Sequence, residues 1–217
     1  MGLFRKIAFL FLAASILISA LAYDRLPEKV ATHWGFSGEP DGYSGKLFGA
    51  ALLPLFLAFL LALFQLLPKL DPLRENYPFF AREYQIFQAA FALFFLGVHS
   101  FVLAHALGIQ IGISKILAPL FSVLFASLGI LLPKTRRNYF VGVRTPWTLE
   151  SDATWKNANA LAGKVFLAFS AAALAGIFSD FLFFLSIVLT IPALAGVLIF
   201  SYMEFSRGKT KRASRKG

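Results

Sequence analysis

Long stretches in which almost every position is apolar alternate with short polar ones, and this pattern governs the reading of the chain. Runs with almost no charge lie at about Ile7–Ala22, Leu47–Leu67, Ile86–Leu107, Ile116–Leu132, Val165–Phe178 and Phe181–Phe200. A helix rises about 1.5 Å per residue and a hydrocarbon core is about 30 Å thick, so Leu47–Leu67 is long enough to cross. Val165–Phe178 is short by that measure and reaches span length only when extended back over Ala160, Leu161, Ala162 and Gly163, with Lys164 snorkelling to the interface. The pattern predicts an all-α polytopic integral membrane bundle of six transmembrane helices. The first run also has the look of a signal peptide, with Arg5 and Lys6 before it and Ala20-Leu21-Ala22 at its end, but it is somewhat long for one.

Composition agrees: of 217 residues, 58% are hydrophobic and 15% charged, against roughly 45–50% and about 25% in soluble domains, which excludes a soluble enzyme. Lysine and arginine number 21 against 11 acids, and their placement explains the excess. Seventeen lie at the N-terminus, in 69–82, in 134–164 and after Tyr202, whereas Arg25, Lys29, Lys46 and Lys115 occupy the alternate side. By the positive-inside rule both termini are cytoplasmic (N-in, C-in) and the 23–46 loop faces outward. The charge therefore sets orientation, and no direct nucleic-acid partner is implied. Without cysteine there is no disulfide, thiolate zinc site or thiol nucleophile. The expected organisation is a membrane module over 1–67, a third span with its flanks over 68–115, a second membrane module over 116–202 with an inner loop at 133–164, and an unstructured basic tail over 203–217.

Two loops exceed the needs of connection. The outward loop, Tyr23–Lys46, is punctuated by Pro27, Gly35, Gly38, Pro40, Gly42 and Gly45, and Glu39-Pro40-Asp41-Gly42 reads as a turn. Val30, His33, Trp34, Phe36 and Tyr43 supply mass to pack on the membrane rim, with Trp34 and Tyr43 suited to the interface. Asp24, Glu28, His33, Glu39 and Asp41 offer oxygen ligands and one imidazole, but without a second histidine no metal is expected. The inward loop sets Arg136, Arg137 and Arg144 among Tyr139, Phe140, Trp147 and Trp155. Ser151 or Asp152 then caps an amphipathic helix lying at the inner surface and running into span five, with Trp155 and Asn159 on one face. An interfacial anchor explains this composition, as does a recognition platform presenting Arg144 and Trp147 to a partner.

Inside the spans, Gln88 and His99 are eleven residues apart and share a helix face, whereas His105 lies about 120° from His99. With no acidic partner at that depth, the expectation is histidine bonded to a neighbouring helix rather than a proton relay. Ala168, Ala172 and Gly176 form a small-residue stripe that would allow close helix packing or a homo-oligomer.

Leu26-Pro27, Thr32-His33-Trp34, Gly38-Glu39-Pro40-Asp41 and Lys46 resemble the N-terminal module, a domain of unknown function, found in the SdpI family of membrane proteins. The run Asn138-Tyr139-Phe140-Val141-Gly142-Val143-Arg144-Thr145-Pro146-Trp147-Thr148-Leu149, then Trp155, Asn159 and Gly163, is similar to that family's second signature. The resemblance implies a non-enzymatic, multi-pass plasma-membrane protein that confers immunity to a secreted toxin peptide and holds a soluble repressor at the membrane. It implies no catalytic residues, no metal and no cofactor; membrane lipid is the remaining partner. Carried onto this chain, His33, Trp34, Glu39, Pro40 and Asp41 would face the toxin. Asn138, Tyr139, Gly142, Arg144, Thr145, Pro146, Trp147, Trp155 and Asn159 would form the inner signalling surface, with Arg144 and Trp147 in contact with the partner and Asn138, Trp155 and Asn159 as supports. The alternative is a small transporter or channel, which would need a polar path linking His99, Gln88 and the loop residues across the bilayer.

Overall fold

A computed structural model describes residues 2–35 and 38–213, the side chains of 211–213 excepted. Its six long apolar helices, each able to cross a membrane, are α1 (Leu3–Ala22), α2 (Lys46–Leu70), α3 (Ala81–Ala106), α4 (Ile113–Leu131), α6 (Asp152–Ala175) and α7 (Asp180–Ala213), with a short α5 (Pro146–Glu150) before α6. Local chemistry sets their ends. Pro72 forces Asp71 into an extended conformation and stops α2. Gly108, at φ +87°, turns the chain after α3, with Ile109 N–H reaching the Ala104 carbonyl at 3.0 Å. Ser151 caps α6 by accepting from Thr154 N–H at 3.3 Å.

Two expectations need correction here. The amphipathic helix does run into the fifth span, as one helix α6, but its Trp155, Ala158, Asn159 and Ala162 are buried rather than laid on the membrane surface. The tail expected to be unstructured from 203 is helical to Ala213. Lys209 crosses the Phe205 ring at 4.5 Å and approaches Glu150 at 3.8 Å, contacts that reward continuing the helix. Residues 214–217 lie outside the described residues.

Packing divides the helices into two groups, α1–α2–α3 and α4–α6–α7, joined where α3 meets α4. Ala8, Leu57, Leu61, Ala89 and Ala92 form the core of the first, wrapped by phenylalanines including Phe64, Phe91 and Phe95. In the second, α4 and α6 cross so closely at Gly129 and Gly163 that a Cβ on either would come within 3.0 Å of the other's carbonyl oxygen. This is where small residues are used. Ala168 and Ala172, from the stripe singled out in the sequence, are exposed. Tyr77, Phe80 and Tyr84 meet Leu131 and Val141 at one end of the junction between the groups.

Between α1 and α2 the chain forms an antiparallel hairpin, β1 (Lys29–Trp34) and β2 (Pro40–Gly45). Of the expected turn at Glu39-Pro40-Asp41-Gly42, the last three residues fall inside β2. The reversal comes earlier, where Gly35 N–H donates to the Glu39 carbonyl at 3.0 Å and Gly38 takes φ +80°. Pro40 sits at the first position of its strand, where a missing N–H costs least. Register slips around His33 leave Thr32 and Asp41 without opposite residues, and the hairpin is anchored by Val30, wholly buried against Gly49. Phe36 lies outside the described residues.

Candidate functional site

The loop between α4 and α6 is built around three buried polar side chains. Asn138 is fully buried; its Oδ1 accepts from the N–H groups of Phe140 (2.9 Å) and Val141 (2.6 Å), and its Nδ2 donates to the carbonyls of Arg136 and Val141, both at 2.8 Å. One amide thus satisfies a tight bend of backbone that would otherwise be buried and unpaired. Asn159, on α6, accepts from Val143 N–H at 2.8 Å and donates to the Trp155 carbonyl at 3.0 Å. Thr148 is the third: its hydroxyl reaches the Val143 carbonyl at 2.8 Å and, with Thr145, completes a capping box at the start of α5, where Pro146 occupies the first turn.

Gly142 lies between these groups at φ +124°, and a Cβ there would fall 2.7 Å from Asn159 Oδ1 and 3.0 Å from the Trp155 ring. Both conformation and space require glycine. Trp155 is 2% exposed and donates its indole N–H to the Thr135 carbonyl at 3.0 Å. Trp147 donates its own to Ser201 Oγ at 2.7 Å, with the ring edge-on to Tyr202. The tryptophan expected to meet a partner is therefore engaged with α7.

The loop is fastened to the other helix group by Asp71, which lies in the flank between the second and third spans. Its carboxylate is 2% exposed and accepts from Leu73 N–H (2.8 Å), Tyr77 Oη (3.0 Å) and Tyr139 N–H (2.9 Å). Asn76 adds a bond from its Nδ2 to the Arg137 carbonyl at 2.8 Å. The available signal was a lone acid directly before proline at a helix end; its partner lies 68 residues away, beyond the reach of local pattern. What the loop presents outward is Tyr139, Arg144 and Pro146, all exposed, and Arg136, whose guanidinium lies 3.2 Å from the centre of the Phe79 ring. Arg144 is held by an Nη1 bond to the Tyr139 carbonyl at 2.7 Å, which leaves the rest of its fork open. Arg137 is paired with Asp152.

At the opposite end of the bundle, His33 Nδ1 pairs with Asp41 on the exposed face of the hairpin. Trp34 turns inward, 5.1 Å from Phe101 and 5.6 Å from His105 between ring centres. Glu39 contributes its carbonyl to the reversal and Pro40 opens β2. Beneath lies an apolar cleft of about 250 Å³ between the hairpin, α2 and α3, bounded by Trp34, Phe48, Leu52 and Phe101. Among the described residues no group of three or more His, Asp or Glu is gathered as a metal would require.

The intramembrane polar residues fall into separate places. His99 Nε2 is 2.6 Å from Ser19 Oγ, whose hydroxyl reaches the Ala50 carbonyl at 2.8 Å, so one hydrogen-bonded chain links α3, α1 and α2. With the serine donating to Ala50, the imidazole N–H faces Ser19. Gln88 accepts from Gln65 Nε2 at 3.0 Å, and Gln65 Oε1 accepts from Arg5 Nη1 at 3.3 Å. His105 packs against the hairpin through Trp34.

These features define a class: a multi-pass helical membrane protein with a docked hairpin at one end and a hydrogen-bonded loop joining its two helix groups at the other. Residues 134–203 match the SdpI/YfhL protein family, and residues 10–68 match a domain of unknown function (DUF1648). Immunity protein SdpI of Bacillus subtilis (strain 168) is 24% identical over 204 residues, covering 93% of this chain and 95% of that protein. Both matched segments lie in one chain, which is a multi-pass protein of the plasma membrane. No solved structure matches it.

Proposed function

We propose that this chain is a membrane immunity protein that protects its cell against a secreted antimicrobial peptide, with both termini in the cytoplasm and the hairpin outside. The observation that carries the reading is the likeness to immunity protein SdpI, which extends along 93% of the chain and so takes in both the hairpin and the α4–α6 loop. The toxin would meet the exposed His33–Asp41 face and the cleft behind Trp34. On the inner face, Tyr139, Arg144 and Pro146 would hold a soluble repressor, while Asn138, Gly142, Thr145, Trp147, Trp155 and Asn159 keep that surface in shape. In this role the protein is not an enzyme: it works by binding.

The test is survival of a toxin-sensitive bacterium expressing the protein during challenge with an Sdp-type toxin, at matched membrane levels of wild type, Trp34→Ala and Arg144→Ala. Wild type should protect and Trp34→Ala should not. Arg144→Ala should protect yet leave the repressor in the soluble fraction. A correctly inserted wild type that gives no protection would refute immunity, and flux of small solutes into liposomes containing it would then favour the transporter.

A further inference from the structure

A second cavity, of about 590 Å³, opens at the motif-loop end of the α1–α2–α3 group. Arg5, Lys69 and Arg74 line it with Gln65, Gln85 and Gln88, and none of its lining residues is acidic. Lys69 and Arg74 are exposed and Arg5 is half-buried, so three like charges meet at one open-sided space, and an anion there relieves their mutual repulsion. Orientation by positive charge requires only that such residues reach water, and Arg5 departs from this. It sits in the first turn of α1, the end of a helix least favourable to a cation, and its Nε is enclosed without a hydrogen-bond partner. Its Nη1 is tethered by Gln65, itself fixed by the buried Gln88, so the guanidinium is held in place with donor capacity unused. The rest of the wall is apolar and aromatic, including Phe64, Pro68 and Tyr84.

We propose that this cavity is a binding site for the phosphate of an anionic lipid headgroup from the leaflet on the motif-loop side. Arg5 and Arg74 engage the phosphate oxygens, Lys69 supplies a third charge, and the glutamines meet the polyol. A phosphate suits paired guanidinium donors, and the apolar wall suits the acyl-proximal part of a lipid better than a soluble ion. The inference is independent of the immunity reading.

The full-length protein in phosphatidylcholine nanodiscs, titrated with a fluorescent short-chain phosphatidylglycerol, tests it. Wild type should bind, Arg5→Gln and Lys69→Gln should each weaken binding about tenfold, and Arg5→Lys should recover only part of the loss. Arg207→Gln, which removes equal charge outside the cavity, should change it little. Equal losses in Arg5→Gln, Lys69→Gln and Arg207→Gln would reduce the effect to general surface attraction and overturn the proposal. Displacement of the lipid by millimolar glycerol phosphate would move the ligand into solution and overturn the lipid assignment. Monodisperse elution of each variant separates lost binding from lost fold, and Lys69→Gln, outside the Arg5–Gln65–Gln88 chain, keeps the test decisive should Arg5→Gln misfold.

Discussion

Replacing Asp71 by alanine isolates the contact that fastens the motif loop to the rest of the bundle. The substitution removes the acceptor of Tyr139 N–H, of the Tyr77 hydroxyl and of Leu73 N–H. Leu73 lies beside Asp71 in the chain and Tyr77 keeps a long contact to Asn138 Oδ1 at 3.4 Å, so the loss across the junction falls mainly on Tyr139. A hydrogen bond to a buried carboxylate contributes roughly 1.5–3 kcal/mol, and the weakened tyrosine bond brings the expected loss to about 2–3 kcal/mol. Because Asp71 joins the motif loop to the α2–α3 connection and to no spanning helix interior, the loss should appear as local opening of the loop before global unfolding. At about 1.4 kcal/mol per factor of ten, the open population rises at least about thirtyfold. Trypsin cleavage after the exposed Arg144, followed on purified protein in detergent, reports that population when reclosing is fast. Asp71→Asn, which keeps one acceptor oxygen, should fall between. Cleavage of Asp71→Ala at the wild-type rate would refute the argument, as would an equal rise at Lys29 in the distant hairpin.

Gly142→Ala places a methyl group 2.7 Å from Asn159 Oδ1 in a conformation that disfavours any side chain; cleavage after Arg144 should rise about tenfold or more in the same assay. Trp147→Phe keeps a ring beside Tyr202 but loses the bond to Ser201, costing about 1 kcal/mol in thermal unfolding; Ser201→Ala should cost a similar amount, and the double variant scarcely more than either. Ser19→Ala leaves a buried imidazole N–H and the Ala50 carbonyl without that hydroxyl, for a loss of about 2 kcal/mol, and His99→Leu on that background should restore part of it.

Apolar run length made the spans legible, since each must cover a fixed thickness of hydrocarbon. The face shared by Gln88 and His99 was legible from helical period: both are buried. Period cannot say that they serve different places, but rise can, because eleven residues separate them by roughly 16 Å along the axis. Their partners Gln65 and Ser19 lie on other helices and follow only from packing. The hairpin was hidden because its strands are short and the second is rich in glycine and opens on proline, and their pairing depends on Val30 seating against Gly49. In the motif loop the unusual residues were visible and their division of labour only in part. Asn138, Trp155 and Asn159, expected as supports, are buried, whereas Trp147, expected beside Arg144 at the contact surface, is turned to Ser201 of α7, a partner 54 residues away that no local pattern reveals.

The third helix stands between the two matched segments, outside both 10–68 and 134–203, as does the whole of α4. Yet Ser19 and Gln65 find their partners on α3, and Gly163 closes on Gly129 of α4. A fragment cut at the borders of either segment would therefore enter the bilayer with polar side chains unmatched or a glycine groove empty. The indivisible piece of this protein is longer than the piece by which kinship is recognised. The chain's own seam runs through Gly108–Gly112, between α3 and α4, and it is there that a gene could be divided into two three-span parts that each keep their internal partners.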